Sequence, residues 1–246
     1  MTAEFSLDEV TGQIEQVDAA TDRLLAGVGK LTEADAARPS LCPGWTAGHV
    51  LTHIARNADG LRRGAEGGRR GEPAPMYDSM EARNRDIEAG AGRPMRELAA
   101  DVTESALALR GTWSAMTAAD WAHDMLHPRA GLVPLRDTPD MRLGETLIHH
   151  VDLAGDYLPS DWPASFVTDI LSSAAGELAG RLPDGTSAGL RATDTGMSVS
   201  GGTGAERVIV SGPAWALACW LVGRPGPAVG ALSVTGGELP MLKSRP

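Results

Sequence analysis

Aromatic residues make up only 4% of this 246-residue sequence, which is also short of cysteine, lysine and long hydrophobic runs. Cys42 and Cys219 are the only cysteines and lie far apart. That excludes a disulfide-stapled scaffold, and both read as small buried hydrophobes. Of the 22 basic residues, all but Lys30 and Lys243 are arginine, a skew that we read as GC-rich coding rather than chemistry. The formal charge of -10 and the pI of about 5.0 would repel a phosphate backbone or an anionic membrane face, so nucleic acid and membrane partners are not expected. The longest apolar stretch, Pro213 to Val222, is about half of the roughly 20 residues that a membrane span needs, and reads as a buried helix. The first 30 residues carry Glu4, Asp8, Glu9, Glu15 and Asp18 without a signal-peptide core, which predicts a cytoplasmic protein.

What remains is rich in alanine, with 42% hydrophobic and 22% charged residues, a globular composition suited to close-packed helices. Ser6 and Glu9 form a capping-box pattern ahead of apolar positions at Val10, Ile14, Val17, Leu24 and Val28, the mark of a first long helix. Arg38 to Trp45, with Pro39 and Pro43-Gly44, reads as a turn, after which Thr46 caps a helix through Val50, Leu51, Ile54 and Ala58. The glycine- and arginine-rich Gly64 to Pro75 reads as a loop. Ser79 to Ala89 and Met95 to Met116 are helical, broken at Gly90 to Pro94. His123 to Asp140, with three prolines, reads mostly as loop, and Met141 to Asp156 as a fourth long helix. Four long helices with one irregular crossover predict a bundle over residues 1–158.

Beyond Leu158 the pattern changes. A helix from about Ala164 to Arg181 precedes short β-like runs at Leu190 to Thr193, Met197 to Ser200, Arg207 to Ser211 and Ala231 to Thr235, with a Pro213-initiated helix before the last. Residues 159–246 are therefore expected to form a smaller α+β domain with a small, mostly antiparallel sheet. Gly185-Thr186-Ser187-Ala188-Gly189 matches GxSxG, but it precedes a β-like run, whereas a nucleophile elbow needs a strand before it and a helix after. Gly201-Gly202-Thr203-Gly204 lacks the Lys-Ser/Thr of a phosphate loop and reads as a hairpin turn.

The chemistry concentrates in the bundle. Glu145 and His149, four apart, are separated by about 40° in azimuth and leave one helix face a turn apart, while His150 points about 140° from Glu145. A divalent metal could sit between the first two, although such pairs also decorate solvated faces. His49 and His53, also four apart, flank the apolar stripe of the second helix. A buried histidine there would need partners, and one facing the Glu/His pair gives three protein ligands and an open position, as in catalytic zinc. His49 alone also fits a capping role. Arg83 and Arg85 lie in a charge-dense short helix that could be a solvated face, or could present an arginine to a substrate carboxylate. Arg224 follows the apolar helix, where a cation suits the C-terminus. Trp45, Trp215 and Trp220 read as core or interface anchors.

Trp45-Thr46-x-x-His49-Val50-x-x-His53-Ile54-Ala55, with Glu145-x-x-x-His149-His150-x-Asp152-Leu153, resembles the DinB-like metal-binding bundle of the mycothiol-dependent maleylpyruvate isomerase family. The resemblance spans the chain, since that family carries a small α+β C-terminal domain like that of sterol-carrier proteins, into which Ser211 to Arg224 fits. Pro75-Met76-Tyr77 followed by Glu81-Ala82-Arg83-Asn84 and Ile87 is similar to the isomerase segment that holds an arginine important for activity. The resemblance implies zinc ligands at His53, Glu145 and His149, a catalytic and substrate-binding arginine at Arg83, and a further substrate-binding arginine at Arg224. It implies no role for Cys42. The reaction implied is cis to trans isomerisation of maleylpyruvate, a dicarboxylate of gentisate breakdown, to fumarylpyruvate. Its cofactors would be zinc or a similar divalent metal and the low-molecular-weight thiol mycothiol. Two alternatives remain: a mycothiol S-transferase acting on another electrophile, and a non-catalytic metal-containing protein that binds a small ligand.

Overall fold

The computed structural model describes residues 6–204 and 206–243, which fall into two compact units, one ending at Asp156 and the other beginning at Tyr157. The first is a helix bundle. α1 (Leu7–Val28) starts at Ser6, whose hydroxyl accepts from the Asp8 amide while Glu9 reaches back to the Ser6 amide, so the capping box forms as expected. α2 (Ala47–Arg69) follows the Pro39 to Trp45 turn, α3 (Met80–Gly90) is short, α4 (Met95–Ser114) is long and α5 (Ala118–Trp121) is one turn. β1 (Asp124–His127) and β2 (Gly131–Pro134) make an antiparallel hairpin before α6 (Thr138–Asp152). α1, α2, α4 and α6 pack together as the four long helices, around Leu24, Leu51, Ile54, Leu98 and Val102.

Three expectations for this unit are corrected. α2 runs five residues past Gly64, because its glycines permit close approach and do not break the helix. A Cβ on Gly64 would sit 2.9 Å from Met125 Sδ, one on Gly67 2.3 Å from Ala74 Cβ, and one on Gly68 2.5 Å from Leu135 Cδ1. The prolines of residues 123–140 bound a hairpin and do not preclude one, and Pro139 opens α6 in its first turn, where its missing N–H costs nothing. α6 also stops at Asp152, since Ala154 takes a left-handed φ of 52°.

In the second unit, α7 (Ala164–Arg181) and α8 (Ala214–Leu221) pack with each other and against a four-stranded sheet, α7 on β4. The strands are β3 (Thr186–Ala192), β4 (Ser198–Gly202), β5 (Glu206–Gly212) and β6 (Ser233–Thr235), in the order β4-β3-β5-β6. Among the described strands only the β3–β5 pair is parallel, so the sheet is mostly antiparallel, as expected. That order also overturns the hairpin reading of Gly201 to Gly204: β4 and β5 both pair with β3, and the segment crosses between them. Gly204 lies against Gly185, leaving no room for a side chain. Ser187 of the GxSxG match sits inside β3, with no helix after it. Among the described residues no helix is long and apolar enough to cross a membrane.

Candidate metal centre

Thr46 starts α2 by accepting from the His49 amide, and the His49 ring answers as the capping partner, its Nδ1 accepting from the Thr46 amide at 3.2 Å. His49 thereby takes the capping role open to it, and its Nε2 lies 3.1 Å from Glu88. One turn on, His53 is 5% exposed. Trp45 packs on its ring in a T-shaped arrangement, centroids 5.5 Å apart, so Trp45 helps to orient it rather than only filling core.

Opposite, α6 brings up Glu145 and His149. His53 Nε2 lies 2.8 Å from Glu145 Oε2, and His149 Nε2 lies 3.4 Å from the same oxygen. The potential ligand atoms of His53, Glu145 and His149 fall within 4.8 Å of one another. Two imidazole nitrogens and a carboxylate oxygen suit zinc, whose ligands at about 2.0–2.2 Å stand roughly 3.4 Å apart in a tetrahedron. Three protein donors also leave one position open. On the far side of the His149 ring, Nδ1 donates to Asp152 Oδ2 at 2.8 Å, and fully buried Asp152 also accepts from the Cys42 thiol at 3.2 Å. A carboxylate on the outer ring nitrogen fixes the tautomer that leaves Nε2 available for a metal.

The electrostatics follow from burial and these contacts. Burial pushes His53 down to about 4, against the pull of Glu145, so its ring is neutral. For His149 burial acts the same way, but hydrogen bonding to Asp152, with Cys42 and Glu145 adding to it, wins and raises it well above the usual imidazole range. Burial would raise the Glu145 carboxyl, yet the two histidines hold it well below its ordinary value.

Arg83, on α3, reaches the centre: its Nη2 donates to His53 Nδ1 at 2.9 Å and its Nη1 to Asn84 at 2.9 Å. The guanidinium stands 5.8 Å from the centre of the Tyr77 ring. Tyr77 is brought in because Gly60 lets the 75–77 segment lie on α2; a Cβ there would be 3.0 Å from the Tyr77 ring. Tyr77 also walls a pocket of about 440 Å³ with His127 and Arg129 of the β1–β2 hairpin. Arg85 stays exposed. Arg224 belongs to the second unit, where its amide donates to Cys219 O and its carbonyl accepts from the Cys219 thiol.

The resemblance gave Cys42 no role, but the structure sets its sulfur 4.0 Å from His149 Nδ1. Asp152, Tyr77, Trp45 and Cys42 are the site neighbours to which the sequence attached no function. Asp152, three residues beyond His149 on the same helix, was the one that spacing could have found.

A four-helix bundle with a His–Glu–His cluster bridging two of its helices is a scaffold able to hold one divalent cation with a position open to a ligand. The family model described as the mycothiol maleylpyruvate isomerase N-terminal domain matches residues 17–154, and the chain belongs to that family, the one its residues resemble. Two solved structures, of the mycothiol-dependent maleylpyruvate isomerase and of a histidine-to-alanine mutant of it, each match with a TM-score of 0.87 and 24% identity. In each case 96% of this chain and 97% of that chain are covered, which shows the shared fold. The comparison with curated proteins gives no match.

Proposed function

We propose that this chain is a thiol-dependent cis–trans isomerase that converts maleylpyruvate to fumarylpyruvate, with mycothiol as cofactor and a divalent metal, zinc, on His53, Glu145 and His149. The observation that carries this reading is the three-donor cluster with Arg83 directly upon it, in a chain of this family. When bound, the metal would supply Lewis acidity at its open position. The chain's own residues do the rest. Asp152 holds the His149 ring, Trp45 packs on His53, and the burial of His53 limits water on that side of the cluster. Arg83 offers a planar fork to a substrate carboxylate, and Arg224 joins it as a second substrate-binding residue on the strength of the resemblance alone. Residues 1–158 act as the metal-binding bundle and 159–246 as the C-terminal domain of a cytoplasmic enzyme.

A thiol suits the reaction. Its thiolate forms a C–S bond at one carbon of the conjugated double bond, the π pair moves onto the carbonyl oxygen, and the former double bond rotates. Collapse of the enolate then breaks the C–S bond and returns the trans isomer and the thiolate. The test is absorbance of maleylpyruvate mixed with zinc-loaded protein. Conversion to the trans isomer only when mycothiol is supplied, with the thiol recovered, supports the isomerase. A stable thiol adduct would instead mark an S-transferase, and no reaction a binding protein.

A further inference from the structure

A second cleft, of about 260 Å³, opens between α1 and α4. Leu25, Leu107 and Leu109 line its sides, with an Asp18–Arg110 ion pair at 2.7 Å and the exposed carboxylate of Asp22. The hydroxyls of Thr21 and Thr103 are spent on carbonyls of their own helices, at 2.8 Å each. The remaining polar lining includes two buried groups with hydrogens to donate. Arg142 is 0% exposed and Trp113 2%. Arg142 Nη1 donates to Ile54 O at 2.7 Å and Asn57 Oδ1 at 2.9 Å, whereas its Nη2 and the Trp113 Nε1 have no partner among the described residues. Arg142 makes no ion pair among the described residues: Glu145 and Asp59 act on it only through space. Burial lowers it to about 10, which leaves it charged at neutral pH. A buried cation without a direct counter-charge, lining the same cleft as a second unpaired donor, calls for an anionic acceptor.

We propose that this cleft is a binding site for a small organic acid, whose apolar body packs on Leu25, Leu107 and Leu109 and whose carboxylate meets Arg142 and Trp113. Its volume of about 260 Å³ lies just below the usual range for ligand sites, roughly 300–1,000 Å³, which selects a phenyl or short alkyl carboxylate over a larger amphiphile. The site is built from α1, α4 and α6 and stands whether or not the isomerase reading does.

The test is calorimetric titration of the zinc-loaded full chain with benzoate, with hexanoate, and with benzyl alcohol as the uncharged control. Both acids should bind, and benzyl alcohol at least about tenfold more weakly. Ala106→Phe, which fills the cleft from α4, should abolish binding while the helical circular dichroism stays as in wild type. Trp113→Phe, which removes one donor and keeps the ring, should weaken binding about five- to tenfold. Arg83→Ala should bind the acids as wild type does. The proposal is overturned if neither acid binds, which would make the cleft a water-filled crevice, or if benzyl alcohol binds as tightly as the acids. Binding that survives Ala106→Phe, or that disappears in Arg83→Ala, would also overturn it by moving the acid to the other site.

Discussion

Replacing Arg83 should strengthen metal binding and weaken catalysis at once. Arg83 Nη2 donates to His53 Nδ1 at 2.9 Å, so Nδ1 is an acceptor and the ring proton sits on Nε2, 2.8 Å from Glu145. A neutral imidazole that gives Nε2 to a metal carries its proton on Nδ1, and two donors would then face each other. Metal uptake therefore has to displace Arg83, and the displaced fork becomes available to a substrate carboxylate. A hydrogen bond to a charged donor contributes about 1.5–3 kcal/mol; for the half-buried Arg83 we take about 1–2 kcal/mol. Arg83→Ala should thus bind zinc roughly 5- to 30-fold more tightly, read by competition with a chromophoric chelator. Its kcat/KM should fall by about 2–4 kcal/mol, roughly 30- to 1,000-fold, with Arg83→Lys recovering only part because the bidentate fork is lost. Weaker zinc binding in Arg83→Ala would show that Arg83 supports the metal centre, and unchanged kcat/KM in both variants would remove it from the reaction.

Metal binding should also be coupled to protons. His149 is raised above the imidazole range and must lose its proton to bind, whereas His53, at about 4, has none to lose near neutrality. About one proton should therefore be released per zinc at pH 7, and affinity should drop as pH falls; titration in buffers of different ionisation enthalpy measures this, and zero release would contradict the assignment. In the metal-free protein, His53 stability is lost as pH falls from about 6.5 towards 4, while the His149 contribution is present below about 6.5 and is lost as pH rises through its raised value. The double variant Cys42→Ser and Cys219→Ser should isomerise at close to the wild-type rate with mycothiol, and neither protein without it. Thiol-free turnover that disappears in the double variant would move the nucleophile to the chain. Gly67→Ala should destabilise the bundle by about 2 kcal/mol or more in urea, despite the better helix propensity of alanine, because its Cβ would lie 2.3 Å from Ala74 Cβ and 2.8 Å from Glu72 O. A neutral effect would mean that the loop at residues 72–74 yields.

Local signals were legible where one residue type does one job. Ser6 and Thr46 cap α1 and α2 where the sequence puts them, α7 spans Ala164–Arg181, and the four-residue spacing of Glu145 and His149 does bring the two side chains together, His149 Nε2 lying 3.4 Å from Glu145 Oε2. Choosing His53 over His49 needed the family resemblance, because both flank the same stripe and only tertiary contacts separate a capping ring from a buried one. Gly64, Gly67 and Gly68 looked like a loop because propensity penalises glycine in helices, whereas the gain from letting Met125 and Leu135 pack on α2 is a long-range effect. The same blindness hid Cys42, whose approach to Asp152 joins residues 110 positions apart.

The most direct test is the metal content of purified wild type, His53→Ala and His149→Ala, by elemental analysis after dialysis. The wild type should carry about one zinc per chain and both variants far less, with their helical circular dichroism retained, since an open three-ligand site contributes less to folding than a closed one. Metal at the wild-type stoichiometry in either variant would contradict the centre described here.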